Sequence, residues 1–293
     1  MGVATHLLLI GFGIFELVLV LRYFLRGKNV ALLNPKGLIA HQQMNLIFYT
    51  VGILLIVAVP TIFLLYFVAW KYRESNNRAT YYANQRLTKR GSLGLWAIPT
   101  VVVLLLTVVM IPATHRLAPK KVISSDAATL KVQVIALRWK WLFIYPEQKV
   151  ASLNYLQIPV DIPVTFELTT DEAPMSSFWI PNLGGQLYTM TGHVNRLNLI
   201  ATTAGEYPGS SAEINGAGFS KMRFTARASS VIEFEQWVQE AKNSNKTLDM
   251  PTYKDMVRPS EGNQATLYAS YDDALYDTVV AKYTGSSRGH SHH

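Results

Sequence analysis

Two long uncharged runs, residues 44–70 and 91–114, constrain this chain more than anything else in it. Each exceeds the roughly 20 apolar residues that cross a bilayer core as a helix. A core helix of a soluble domain seldom runs so far without a charge, so both are expected to span a membrane. Between them, residues 71–90 carry Lys71, Arg73, Arg78, Arg86, Lys89 and Arg90 against Glu74. A short basic loop of this kind stays on the cytoplasmic side. The two helices then form a hairpin, and everything after Leu117 lies on the outer face. Trp70 and Trp96 fall at the cytoplasmic ends, where aromatic rings favour the interface. Pro60, Pro99 and Pro112 are tolerable because neighbouring helices can satisfy freed carbonyls. The net charge of +8 is largely that of the loop. It reports topology, and with no basic patch interleaved with aromatics elsewhere, no nucleic-acid partner is expected.

Residues 1–28 hold a third apolar stretch, LLLIGFGIFELVLVLRYFL from Leu7. It lacks the basic residues that precede the core of a signal peptide. Arg22, Arg26 and Lys28 follow it, and Glu16 in its middle would need a protein partner in lipid. A cleaved signal peptide and a retained third helix both remain open. Residues 29–43 are then an outer-face segment. The chain has no cysteine, which rules out disulfides, thiolate metal sites and lipidated cysteine.

From Leu130 the texture changes to short alternating runs. LKVQVIALRWKWLFIYP reads as one strand with a turn at Pro146-Glu147-Gln148, and Leu156 to Val160, Val164 to Thr170, RLNLIATTA and MRFTARA read as further strands. Turn-punctuated spacing of this kind predicts a Greek-key β-sandwich over residues 118–229. The period changes in residues 230–283. Ser230 and Glu233 form a capping box, and Phe234, Trp237, Val238 and Ala241 share one helical face. Residues 252–283 predict a second short helical region packed on the sandwich. Residues 284–293 form a low-complexity tail, expected to be disordered, whose histidines are not a metal site.

The hairpin, ALLNPKG at 31–37, RWKWLFIYP at 138–146, SSFWIPNLGGQLYTMTG at 176–192 and GEYPGSSAEINGAGFSKM at 205–222 stand in one order. That order resembles subunit II of the haem–copper terminal oxidases, over about residues 32–283. The resemblance implies a cupredoxin-like outer domain. In the cytochrome c oxidases of this family the domain holds a two-copper centre built from the pattern H-S-F-W and C-x-E-x-C-x-x-x-H-x-x-M. Thiolate, imidazole and thioether ligands select copper over harder ions. Here the first histidine position is Ser176, the cysteine positions are Ser211 and Asn215, and the second histidine is Phe219. Glu213, which would lend its carbonyl, and Met222 remain. The glycines look suited to a loop folding tightly around a metal pair, but no ligand set survives. No metal, cofactor-binding or catalytic residue is therefore expected in this chain. Phe219 is expected to fill the vacated pocket, Met222 to pack, and His193 to be unable to rebuild the centre alone.

A kept scaffold without its copper resembles the quinol-oxidising branch, the bo-type ubiquinol oxidases, as do QWVQEAK and RPSEGNQ in the extension. In that branch a lipidated cysteine precedes ALLxPKG; Lys28 stands there in this chain. The family's tryptophan pair matches Trp139 and Trp141, here expected to pack between the domain and the catalytic subunit. A glutamate common seven residues before the proline that opens the second helix, at a proton-channel mouth, is replaced by Ser92.

The resemblance implies a non-catalytic structural subunit of a proton-pumping oxidoreductase that oxidises ubiquinol and reduces oxygen. Haems, copper and quinol site would lie in subunit I, with further oxidase subunits and membrane lipid as partners and no cytochrome c docking. The location implied is the bacterial inner membrane, multi-pass, with the large domain periplasmic. Two other readings remain: a copper electron-entry subunit, which lacks its ligands, and a membrane-tethered cupredoxin-like assembly or binding protein. No phosphate loop or nucleophilic triad is legible; Gly184-Gly185 reads as a turn.

Overall fold

The computed structural model describes residues 30–76, 88–123, 125 and 127–284, together with Glu16, Leu19 and Tyr23. The expectations for residues 1–28, for the basic segment 77–87 and for the tail beyond Thr284 lie outside the described residues.

Both apolar runs are helical. Helix α1 spans Leu38–Lys71 and α2 spans Lys89–Arg116. At 1.5 Å per residue, the 34 residues of α1 extend about 51 Å, well beyond a hydrocarbon core of about 30 Å. The most apolar window of each helix is unburied by the protein itself. Within them Thr61, Thr100, Thr107 and Thr114 each donate to the carbonyl four residues back, so these hydroxyls need no partner in lipid. Pro99 does not open α2; the helix begins ten residues earlier, behind the Thr88 cap that accepts from Gly91 N. Ser92 sits in that first turn, its N–H bonded to Thr88 O.

The start of α1 is tied to the outer domain through backbone. Lys36 N donates to Asn182 O at 2.7 Å, Leu38 N to Ile200 O at 3.2 Å and Ala40 N to Leu183 O at 3.2 Å. Gly37 bridges to Ala201, and a Cβ there would meet Leu183 O at 2.5 Å. Only glycine allows so close an approach. At the exit of α2, Asn198 donates to Pro119 O from its N–H and its side-chain amide.

The outer domain packs two sheets. The first contains β1 (Leu130–Leu137), β2 (Lys140–Tyr145), β3 (Val150–Leu153), β5 (Val164–Thr170), β8 (Asn195–Leu199) and β12 (Thr266–Tyr268), in the order β12-β3-β2-β1-β5-β8. The second contains β4 (Tyr155–Pro159), β6 (Ser176–Trp179), β7 (Leu187–Thr189), β9 (Gly205–Ser211) and β10 (Arg223–Ser229), in the order β4-β10-β9-β6-β7. The pairs β1/β5 and β4/β10 are parallel, because the chain crosses between sheets instead of meandering within one. Asn154 makes one such crossing: its φ is 52°, and its side chain accepts from Trp141 N and donates to Asn263 O.

The run read as a single strand before Pro146 is two. It breaks at Arg138-Trp139, where Trp139 takes φ 64° and β1 and β2 pair antiparallel. A bulky residue in the left-handed region is uncommon, so the period gave no warning of a turn. Both faces of this hairpin are buried, which explains its unbroken apolar texture. Val134, Ala136, Trp141, Phe143 and Tyr145 enter the inter-sheet core with Phe166, Phe178 and Phe224. Ile135, Leu137, Leu142 and Ile144 face the other way, beneath the C-terminal extension.

The extension begins with α3 (Val231–Lys242), whose Ser230/Glu233 capping box is formed and whose Phe234, Trp237, Val238 and Ala241 are buried. There follow β11 (Thr247–Leu248), α4 (Met250–Val257), β12, β13 (Ser270–Tyr271) and α5 (Leu275–Thr284). The expected second helical region is thus two helices with two short strands, β12 and β13, between them. Tyr253, Met256, Val257, Leu275, Tyr276 and Val279 cover the outer face of the first sheet. Each fully buried Leu, Val or Met is worth roughly 1.5–3 kcal/mol over exposure.

Candidate functional site

The loop between β9 and β10, with the start of β6, brings together four of the six substituted or retained ligand positions. Ser176 opens β6, Ser211 closes β9, Asn215 lies in the loop and Met222 precedes β10; all four are buried. The Asn215 amide nitrogen stands between two of them. It donates to Ser176 Oγ at 2.7 Å and to Met222 Sδ at 3.0 Å. Ser211 Oγ accepts from Ser177 N at 3.3 Å and donates to Glu213 O at 2.9 Å. The two amide protons thus join side chains that a metal would otherwise hold. Asn215 Oδ1 is left without a hydrogen-bond partner.

Phe219 does not fill this space. It lies in a short 3₁₀ turn, Phe219–Lys221, and is only half-buried. Met222 is fully buried, so its reading as a packing residue stands, with an amide proton added on its sulfur. Glu213 turns outward, its carboxylate accepting from Tyr188 at 3.4 Å. His193 is exposed and contacts Thr191 O.

The glycines serve a ring, not a metal. A Cβ on Gly218 would come within 2.3 Å of Trp139 Cδ2, and Gly216, at φ 122°, lies under the same indole. Gly209 similarly yields to Phe224, 2.1 Å from where its Cβ would be. Trp139, from the β1–β2 turn, is therefore partly buried against the β9–β10 loop. Trp141 is entirely inside the sandwich, edge-on to Phe178 at 5.4 Å and to Phe224 at 5.8 Å. It is not available to pack against another subunit, because the strand alternation turns it into the inter-sheet core.

The donor set does not fit the copper centre that the resemblance would otherwise imply. Two hydroxyls, an amide and one thioether supply no bridging thiolate and no imidazole. Among the described residues no group of three or more His, Cys, Asp or Glu could hold a metal ion.

A second polar cluster escaped the sequence. Asp171, directly after β5, is 2% exposed. One carboxylate oxygen accepts from Tyr253 OH at 2.7 Å, the other from Tyr283 OH at 2.7 Å and Lys282 Nζ at 3.0 Å. Lys282 also reaches Glu172. Burial pulls the Lys282 ammonium down, but its hydrogen bonds to Glu172 and Asp171 outweigh this and raise its pKa. Burial, then the Asp171 charge, pushes the Tyr253 phenol up. Threonines link the two clusters: Thr170 Oγ1 donates to Thr189 Oγ1, which donates to Ser176 O. The signal in sequence was a TTDE run and a YDDALYDTVVAKY helix, but nothing local pairs them across more than 80 residues.

The family described as COX Aromatic Rich Motif matches residues 242–287, the stretch holding α4 and α5. Cytochrome bo(3) ubiquinol oxidase subunit 2 of Pseudomonas putida is 42% identical over 269 residues, 92% of this chain and 85% of that protein. Ubiquinol oxidase subunit 2 of Acetobacter aceti is 40% identical over 261 residues, 88% of this chain and 84% of that protein. Among solved structures, the periplasmic domain of subunit II of cytochrome oxidase of Bradyrhizobium japonicum aligns with 42% of this chain and 97% of its own. It does so at 22% identity and a TM-score of 0.38, a likeness too slight to argue from.

Proposed function

The chain belongs to the ubiquinol oxidase subunit II family, and on that premise we propose that it is the non-catalytic structural subunit of a proton-pumping complex. It is a membrane protein and a subunit of a quinol oxidase. In the proposed arrangement the hairpin packs against a catalytic subunit I that holds haems, copper and the quinol site. The basic segment around residues 71–90 faces the cytoplasm, and the sandwich caps subunit I on the outer side of the bacterial inner membrane. Electrons then reach oxygen from ubiquinol within the membrane, and cytochrome c has no docking role.

The observation that carries this reading is the Asn215 amide, joined to Ser176 and Met222 where a copper relay would need thiolates and imidazoles. A chain that has closed its electron-entry site with an amide leaves electron entry to another subunit. The backbone ties between the start of α1 and the outer domain support a scaffold role, since they hold hairpin and cap in one orientation.

The test is affinity purification through this chain from mild detergent extracts. Haem absorbance and quinol-dependent oxygen uptake should co-purify with it. A mixed-valence copper signal by electron paramagnetic resonance, assigned to this chain, would overturn the reading. So would recovery of the chain without haem under conditions that keep other membrane complexes whole.

A further inference from the structure

A cavity of about 350 Å³ opens where the hairpin meets the outer domain. Its walls come from the start of α1, the end of α2 with the segment after it, and the 185–186 and β8 region. The backbone ties of Lys36, Leu38 and Ala40 fasten the two walls to each other on one side. On the other, Asn198 grips Pro119 O through two donors at 3.1 and 3.2 Å.

The lining is divided chemically. Arg116 and Lys121 supply two cations and Gln42 and Gln43 supply amides, while Ile39 and Val122 are among the apolar residues. No carboxylate lines the cavity among the described residues, and neither cation is in an ion pair there. Its depth is set by the sequence. Gln43 immediately precedes the uncharged run of α1, and Arg116 follows that of α2 by two residues. The cavity therefore lies at headgroup level, open to phosphate chemistry above and to hydrocarbon below.

We propose that this cavity holds an anionic phospholipid of the outer leaflet, its phosphodiester between Arg116 and Lys121 and its acyl chains running down the hairpin. A guanidinium matches phosphate oxygens in a two-point contact, and an ammonium adds a point charge. A cation that only snorkels from a helix end needs no cavity beside it. Here two cations and two amides converge on a space with fixed walls. The lipid would join hairpin and cap at the one level where neither membrane nor water solvates both parts.

The proposal rests on the chain being part of a membrane oxidase, and the experiment separates the two. The complex purified through this chain is placed in nanodiscs of phosphatidylglycerol and phosphatidylcholine in equal amounts, re-extracted, and weighed by native mass spectrometry. Haem absorbance is recorded for each preparation. The unaltered complex should retain phosphatidylglycerol in preference to phosphatidylcholine. R116Q/K121Q should lower that retention by about tenfold or more, as expected for two cations near a lipid phosphate. V122W, which fills the cavity without changing charge, should lower it as well. Inorganic phosphate at millimolar concentration should leave retention unchanged.

Equal retention of the two lipids by the unaltered complex overturns the proposal, as does full retention in both variants. Displacement by inorganic phosphate would assign the cavity to a free anion instead and equally overturn it. If R116Q/K121Q fails to carry haem, the unaltered complex and V122W decide. Absence of haem from the unaltered preparation would count against the oxidase reading, not against the cavity.

Discussion

Two of the polar clusters buried in the outer domain differ in kind. Around Asp171 a carboxylate accepts three hydrogen bonds, all from residues of the C-terminal extension, and one donor is cationic. Around Asn215 every group is neutral, and one buried amide oxygen has no partner. The first cluster joins segments far apart in the chain, whereas most contacts of the second stay within a metal-less loop and its neighbouring strand. A buried charge left without its partners is costly, and a neutral amide much less so. The comparison teaches where the domain can tolerate change: the neutral cluster around Asn215 is replaceable filling, and the charged docking of the extension is not.

Removing the carboxylate tests the costlier side. D171A strands the Tyr253 hydroxyl and takes one acceptor each from the Tyr283 hydroxyl and from the Lys282 ammonium, which keeps Glu172. The loss should approach about 2–4 kcal/mol, below that of a fully buried pair because Lys282 is 42% exposed. Hydrogen exchange should rise over residues 275–284 while α3 stays protected. Unchanged exchange in α5 would mean that its apolar face alone holds it.

G218A comes next. The new methyl meets the Trp139 ring, and overpacking of this type costs about 1–3 kcal/mol. A shifted tryptophan fluorescence maximum and a lower melting temperature would show it; unaltered values would mean that Trp139 moves freely. N215L should be milder. It gives up two hydrogen bonds of about 1 kcal/mol each but also removes an orphaned carbonyl worth a similar penalty, so the net change should stay within about 1 kcal/mol. A loss beyond about 2 kcal/mol would erase the contrast between the clusters.

The smallest effect is in pH. Hydrogen bonds from the Ser230 backbone and hydroxyl lower the Glu233 pKa below its ordinary 4.5. Its contribution to the start of α3 is therefore present above about that value and fades as pH falls through the folded-state value. Lys282 runs the other way, its raised pKa leaving its contribution intact below 10.5. Acid below about 4.5 should thus fray residues 231–234. Exchange rates measured along an acid series check this, and unchanged exchange there would contradict it.

Much of the fold was legible because its signals are local. The spanning helices follow from length and missing charge. The α3 cap and its buried Phe234, Trp237, Val238 and Ala241 follow from spacing. What could not be read was non-local. The strand break at Trp139 needs a left-handed aromatic that no turn statistic favours. Trp141 looks the same in sequence as a residue awaiting a partner, yet alternation turns it inward. Phe219 is large enough to occupy the loop, yet it lies half-buried in a 3₁₀ turn while Asn215 makes the buried contacts.

The sequence alone determined what the chain cannot do at residues 205–222, because without cysteine no folding can create a bridging thiolate. It also determined that two helices must seek lipid, since their length and apolarity admit little else. The tertiary structure decided what replaced the chemistry. Only in three dimensions does the Asn215 amide come between Ser176 and Met222, do the loop glycines prove to be room for Trp139, and does Asp171 gather donors from α4 and α5. Those outcomes depend on distances between residues remote in the chain, which composition and period do not encode.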